Sequence, residues 1–401
     1  MVGSHLTVKP APARGVRRAA CLADLEKILQ QHERWLIARD YCGYDPHDAL
    51  SSPLLAAFTG RSRLLGMAAL QLVKRTPVNL RPLLGIRPAH NAKGMGLFLS
   101  AYVRLYRATG RPQYRERAAG FAHWLQKNVI GGYAGAAWGY EFPWANRHFY
   151  APRFTPNVVT TVFAAQALLE FHELTGEHCW LQLARSACDF IAGSLNRIAD
   201  GRSFAFSYTP RDHFCIHNAN MLAAALLAQV GALTGETAYA DLAERSMRYS
   251  LARQQADGSW LYGEEWYNRW SDSFHTGYSL LALQQFLAAR KDPLGREALQ
   301  RGCAFYRRQF FTADGRVRYY PNKDYPLDSH AFAHALIALQ DLGDEIPDAA
   351  ELLQKVVPQA LALFWSPEGF FYYRRHRFLV DKRPFLRWVQ AWMFLALARL
   401  C

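Results

Sequence analysis

Two carboxylates stand beside tryptophan where the hydrophobic pattern of the chain breaks, Glu141 in WGYEFPW and Asp272 in RWSDSFH. Glycosidic hydrolysis ordinarily needs one carboxyl as acid and a second as base or nucleophile. Glu141 and Asp272 are therefore the first candidates for that chemistry, with Glu264, Glu265, Asp212 and Asp328 in reserve. Each also has a plainer explanation. Asp272 precedes an apolar helix, as an N-cap does, and Glu141 can pair with Arg147 or Arg153 as an ordinary loop carboxylate. A second chemistry, removal of the proton next to a sugar carboxylate, needs a base, an acid and a cation to stabilise the enolate. His217, His275, His330 and His148 could supply the base and Tyr140, Tyr208 and Tyr267 the acid. Arg147, Arg211, Arg374, Arg375 and Arg387 could supply the cation. Against this, a lone His at a helix entrance is more often a structural donor. Asp212, His213, Cys215 and His217 fall close together but match no zinc spacing, so neither a metal nor a cofactor is expected.

The loops that carry these residues are rich in aromatic groups. Trp138, Trp144, Trp260, Trp266, Trp270, Trp388 and Tyr208, with Arg147 and Arg387, are the expected substrate-binding set. Flat rings stack on the C–H faces of pyranoses while Arg and other polar groups bind hydroxyls, and pockets concentrate a few polar groups among aromatics. The plainer alternative is that these rings simply plug one end of the fold.

What must position them is a repeat. Nearly all-apolar, helix-period segments start at Lys93, Asn157, Asn218, Ser273, Ser329 and Phe385, 55 to 64 residues apart, with a less regular one at Asp48. A helix apolar on every side is packed on every side. Amphipathic, charge-bearing segments lie between them and fit an outer ring. Connections from inner to outer are short and turn-like (ATGRPQY, LTGEHCW, LTGETAY), whereas those from outer to inner are long and aromatic. The expectation is all-α: an (α/α)6 or (α/α)7 toroid, ranked above an open solenoid, with every long loop on one face. No linker interrupts the series, so residues 1–20 are read as a flexible N-terminal segment and 21–401 as a single toroid domain.

The composition narrows the function. With 51% apolar residues, 20% charged, 11 Trp, 20 Tyr and 24 Phe, global disorder is excluded. A net charge of +14 favours acidic partners. No nucleic-acid recognition motif accompanies it, although Arg alternates with Tyr in RYYPNKDY and YYRRHRF, so no nucleic-acid partner is expected. The longest uncharged stretch, 214–235, contains His217, Asn218, Asn220 and Gln229 and reads as a buried helix, so no membrane span is expected. Seven scattered cysteines without a C-x-x-C pair point to reduced thiols and a cytoplasmic setting. Gly3-Ser4-His5 resembles a cloning remnant, which leaves room for an upstream signal since removed. A homo-oligomer is open to the chain.

At the level of the repeat, most of the chain resembles the α/α-toroid superfamily of carbohydrate-active proteins, which includes glycoside hydrolases, polysaccharide lyases and sugar epimerases; terpene cyclases share the architecture. WGYEFPW, PNVVTT, DGSWLYGEEW and DSFHTGYSLLAL are similar to segments of proteins associated with bacterial surface-polysaccharide production. RWSDSFHTGYSLLAL loosely resembles an Arg, Trp and His-Thr motif of glucuronyl epimerases, and IHNANMLAAALLAQVGALTG resembles inner helices of N-acylglucosamine epimerases. QQADGSW resembles the terpene-cyclase repeat, but the Asp-x-Asp-Asp acid of that family is absent. The resemblance implies cleavage of a glycosidic bond in an anionic polysaccharide or surface glycan, by hydrolysis or elimination. Epimerisation of a uronate or an N-acylhexosamine is the runner-up, and glycan binding without turnover follows. Fold analogy raises a prior only; the site must carry the mechanism.

Overall fold

The computed structural model describes residues 14–59, 63–145 and 150–401. Its helices, in chain order, are α1 (Arg14–Ile37), α2 (Pro53–Thr59), α3 (Arg63–Arg75), α4 (Ala92–Thr109), α5 (Pro112–Lys127), α6 (Val158–Thr175) and α7 (His178–Ser194), followed by α8 (His217–Thr234), α9 (Thr237–Leu251), α10 (Ser273–Ala289), α11 (Pro293–Phe310), α12 (Ser329–Asp341), α13 (Ala349–Phe364) and α14 (Ala391–Leu400). The remaining elements are short strands and turns in the connections.

Helices α4, α6, α8, α10, α12 and α14 are the inner ring. Their side chains are buried around nearly the whole circumference, as the lack of a polar face in their sequences requires. Each packs on the next, and α14 returns to pack on α4, so the ring closes. Helices α5, α7, α9, α11 and α13 each pack against the inner helix that precedes them, and α1 packs on α14. The described residues thus form six hairpins, an (α/α)6 toroid. The irregular segment near Asp48 is not a seventh inner helix. It forms a 3₁₀ turn, Asp48–Ser51, and α2, which pack with α3 around the small apolar cluster of Ala49, Leu70 and Val73. Of the expected N-terminal segment 1–20, residues 14–20 belong to α1 and residues 1–13 lie outside the description.

Short connections end the inner helices. Gly110, Gly176 and Gly235 adopt φ of 67°, 74° and 76° and close α4, α6 and α8, a conformation that costs glycine least. The long connections all lead into the N-termini of inner helices, and at α4, α6, α10 and α12 the capping residues are short acids or amides. Asn91, Asn157, Asp272 and Asp328 each accept from backbone N–H groups of the first turn. The positive ends of the inner helices therefore converge on the mouth of the toroid. Arg383 fastens the insert to that mouth, donating to the carbonyls of Val73 (3.0 Å) and Lys74 (2.8 Å) while paired with Asp381. No helix among the described residues is long and apolar enough to cross a membrane.

Candidate active site

A cavity of about 280 Å³ lies at the mouth of the toroid, lined among others by His47, Lys74, Lys93, Tyr140, Trp144, Tyr208, Trp270, His275, His330, Arg387 and Trp388. It shares His47, Trp144, Tyr208 and Tyr262 with a wider groove of about 800 Å³, which runs past Trp266, Tyr267 and α3. No Asp or Glu lines either space among the described residues, and the residues outside the description include none. The cleft is cationic and aromatic.

His275 is the best-oriented group in it. Asp272, the N-cap of α10, is fully buried and uses both oxygens on this residue: Oδ1 accepts from the His275 backbone N–H (2.8 Å) and Oδ2 from the ring Nδ1 (2.9 Å). A carboxylate bound to Nδ1 fixes the proton there and leaves Nε2 with a free lone pair, the state a general base requires. The ring is held by Phe274, Tyr262 and Trp270 at centroid distances of 4.0, 4.6 and 5.8 Å. Tyr262 and Trp270 are themselves stacked at 4.4 Å.

His330 enters from the first turn of the neighbouring inner helix. Its cap, Asp328, accepts from the His330 backbone N–H (2.9 Å) and binds Arg374 through the other oxygen (2.6 and 2.8 Å). The imidazole packs within 4.6 to 4.9 Å of Phe274, Trp388 and Trp392, and Nε2 lies 2.6 Å from the Tyr278 hydroxyl. Burial, reinforced by Lys93, His334, His275 and Arg387, holds its pKa well below the usual imidazole value, so it is neutral at pH 7. The Phe274 ring thus lies against both imidazoles.

The cations differ in whether they are already satisfied. Arg387 is buried and gives its fork to Asp45 (2.6 and 2.8 Å). Among the described residues Lys74 makes no ion pair, and its hydrogen-bond contact is His47 Nε2 at 3.4 Å. Burial, aided by Arg374, lowers its pKa to about 8, which still leaves it mostly charged at neutral pH. Tyr140 and Tyr208 share a hydroxyl contact of 3.0 Å, and burial raises the Tyr208 pKa well above the usual phenol value.

The structure brings together Tyr140, Trp144, Tyr208, Trp270, His275, Arg387 and Trp388 on the cavity wall, with Trp266 on the outer groove. It does not bring Glu141 and Asp272 together there. Glu141 lines a separate cavity of about 450 Å³ with His90, Trp124 and Arg153 and accepts from Asn91 Nδ2 at 2.5 Å. Burial, with Asp45 nearby, raises its pKa to about 8. Asp272 reaches the cleft only through His275.

Three expectations are corrected. Trp138 is wholly buried, its indole N–H donated to the Leu125 carbonyl (2.9 Å). Trp260 is buried with its indole N–H on the Ser250 carbonyl (2.8 Å). Both satisfy a core carbonyl, whereas the cleft tryptophans remain half-buried or exposed. His217 is buried against Ser250 and Cys215 and is absent from the cleft lining. Arg147 and His148 lie outside the described residues.

Asp212, His213, Cys215 and His217, close together in the sequence, do not all gather in space: Asp212 caps its own turn and His213 is exposed. Cys215 and His217 instead gather with Glu264, as Asp40, Cys42 and His90 do elsewhere. Glu264 is already engaged by Arg253 and Tyr249.

His47, Lys74, Lys93, Tyr262 and Tyr278 line the cavity without having stood out in the sequence. Only Lys93 carried a signal, as a charge in the first turn of an otherwise uncharged inner-helix turn, KGMGLFLSAY.

No protein-family model and no curated protein matches the chain. Solved structures do. Cellobiose 2-epimerase from Bacillus thermoamylovorans B4167 aligns with a TM-score of 0.62 at 12% identity, over 78% of this chain and 88% of the other. A possible member of the GH105 family from Klebsiella pneumoniae subsp. pneumoniae MGH 78578 aligns with a TM-score of 0.63 at 13% identity, over 99% of both chains. A D-mannose isomerase aligns at 0.57 and 11% identity, over 77% and 86%. The likeness establishes the fold, an α/α toroid spanning the chain.

Proposed function

We propose that the protein is a carbohydrate-active enzyme that transfers a proton at a sugar carbon, as an epimerase or isomerase does. The observation that carries the reading is the pairing of Asp272 with His275 on a cleft wall that has no carboxylate of its own. A hydrolase of the usual kind needs two carboxyl groups facing the bond, and Glu141 and Asp272 do not offer that arrangement. An imidazole held on Nδ1 by a buried carboxylate presents Nε2 as a base. The aromatic lining of Trp144, Trp270, Trp388, Tyr208 and Tyr262 supports a saccharide as the ligand. So does the fold, which here resembles an epimerase, an isomerase and a possible glycoside hydrolase.

In this reading His275 Nε2 removes the proton next to the substrate carbonyl. The charge that develops on the carbonyl oxygen is met by Tyr hydroxyls and by Lys74. A tyrosine hydroxyl of the cleft, Tyr140 or Tyr208, hands a proton back to that carbon and is re-protonated from solvent. A cavity of about 280 Å³ is near the lower end of the roughly 300–1,000 Å³ typical of ligand sites, which suits one small sugar inside and further units in the groove.

Elimination from a uronide is the second reading, favoured by the open groove of about 800 Å³ and by Lys74, a cation that Asp45 and Asp328 support only from a distance. It begins with the same abstraction by His275. Incubating the protein with aldoses, disaccharides and uronate-containing polysaccharides, followed by proton NMR and ultraviolet absorbance, separates the readings. An epimer or ketose is the expected product, and unsaturated ends would move the assignment to elimination. New reducing ends without unsaturation would refute both. Binding with no product from any glycan would point to a glycan-binding protein.

A further inference from the structure

Lys93 is buried in the first turn of α4, and no carboxylate lies within ion-pair distance of it among the described residues. Its amine sits over three rings, those of Phe163 on α6 (4.4 Å), Tyr278 on α10 (4.9 Å) and Trp392 on α14 (5.2 Å). Its one polar contact is the Tyr278 hydroxyl at 3.2 Å, and that hydroxyl lies 2.6 Å from His330 Nε2. The other ring nitrogen of His330, Nδ1, is buried and has no protein partner. The three groups form a chain ending at the cavity wall, and the proton-transfer reading leaves its inner end unexplained.

We propose that Lys93 is a positioning residue that sets, through the Tyr278 hydroxyl, which nitrogen of His330 carries the proton. The argument rests on donors and acceptors. An ammonium has no acceptor; if Lys93 is charged it must donate to Tyr278, whose hydroxyl then donates to His330 Nε2, leaving the proton on Nδ1. An amine has a lone pair and is a stronger base than imidazole, so the phenol donates to it. Nε2–H of His330 then donates to the phenol oxygen, and the free lone pair is on Nδ1, the nitrogen that no protein group engages. Lys93 thereby decides whether His330 presents a base or a donor at Nδ1.

The surroundings select the amine. The rings favour a cation, but burying an ammonium without a counter-ion costs more than ring faces return, and Arg387 opposes the charge while Asp45 supports it only from a distance. Burial and Arg387 accordingly hold the Lys93 pKa well below its usual value. The groups facing His330 are Tyr278 and His275 on α10, His334 on α12, Lys93 on α4 and Arg387; the three cationic or imidazole neighbours other than Lys93 contact no ring nitrogen of His330. The inference deepens the proton-transfer reading but needs no substrate for its test.

The experiment is long-range 15N–1H correlation on the intact, histidine-labelled protein at neutral pH, with His330 assigned by its loss in His330→Gln. The wild type is expected to hold the Nε2–H tautomer. Lys93→Gln, whose carboxamide oxygen can still accept from Tyr278, should keep it. Lys93→Met, with no acceptor, and Lys93→Arg, with donors only, should each shift the tautomer ratio toward Nδ1–H by on the order of fivefold or more, the worth of one buried hydrogen bond. A wild type in the Nδ1–H form overturns the proposal, and so do folded Met and Arg variants with an unchanged ratio. If no Lys93 variant folds, the wild-type spectrum decides alone. Failure here with sugar turnover intact would remove the relay and leave the proposed function standing.

Discussion

Replacing Asp272 by Asn should separate the two tasks of this carboxylate. Oδ1 caps α10 through the His275 backbone N–H at 2.8 Å, and Asn caps as well as Asp. Oδ2 accepts from the His275 ring at 2.9 Å, and there Asn presents an N–H₂ donor. To keep a hydrogen bond, Nδ1 must become the acceptor, which moves the proton to Nε2 and removes the lone pair that faces substrate. The stability cost is the loss of a negative charge at a helix N-terminus, about 0.3–1 kcal/mol and up to about 2 when partly buried. The kinetic cost is that of a base in the wrong tautomer, about 10³–10⁴ in rate, or roughly 4–5.5 kcal/mol at 1.36 kcal/mol per tenfold. Denaturant unfolding and kcat/KM on the sugar identified by product analysis measure the two numbers. Asp272→Ala should lose about 1 kcal/mol more stability through the missing cap, with a similar kinetic loss. If Asp272→Asn retained activity within tenfold of the wild type while folding normally, the dyad would not be the base.

Three further outcomes follow from the geometry. Glu141 has a pKa of about 8 in the folded protein against the ordinary 4.5, so the folded state binds the extra proton between these values. Its contribution to stability is full below pH 4.5 and is lost as pH rises through 8. Glu141→Gln, which preserves the contact with Asn91, should be neutral at pH 4 and stabilising by about 2–4 kcal/mol at pH 9; equal shifts at both pH values in thermal unfolding would contradict this. Trp138→Ala and Trp260→Ala should each cost about 3–5 kcal/mol in denaturant titrations, whereas Trp388→Ala should mainly weaken sugar binding in calorimetry; the opposite ranking would put the cleft elsewhere. Arg387→Met leaves the Asp45 carboxylate buried without its partner and should cost about 3–5 kcal/mol, largely recovered in Arg387→Met combined with Asp45→Leu, as a double-mutant cycle on unfolding would reveal.

The toroid was legible because a helix surrounded by other helices cannot afford a polar face, and that leaves a plain mark on sequences such as NVVTTVFAAQALLEF and SFHTGYSLLALQQFL. The end at which the chemistry gathers was legible from the lengths of the connections. The number of hairpins was not, because the segment DALSSPLLAAF is apolar enough for an inner helix yet packs against α3 and Leu84 instead of joining the ring. Among the aromatic residues, loop position says nothing about direction: Trp138 and Trp260 point inward and satisfy a core carbonyl, while Trp144 and Trp270, in the same two loops, face the cavity. Asp272 could be read as a cap or as a catalytic group, and in the structure the cap is what orients His275. Tyr278 was hidden within an inner helix, and Lys93 showed only as a lone charge in one, since helical periodicity does not tell how deep the cleft penetrates between them.

The central claim, that this cleft moves a proton on a sugar carbon, is tested most directly by turnover in deuterated water with mass and NMR analysis of the recovered sugar. The account predicts one deuteron on the carbon next to the carbonyl in each molecule of product, because the proton returns from a cleft hydroxyl that exchanges with solvent and not from His275, and no detectable incorporation with His275→Asn. Product formed by the wild type with only protium at that carbon would contradict it.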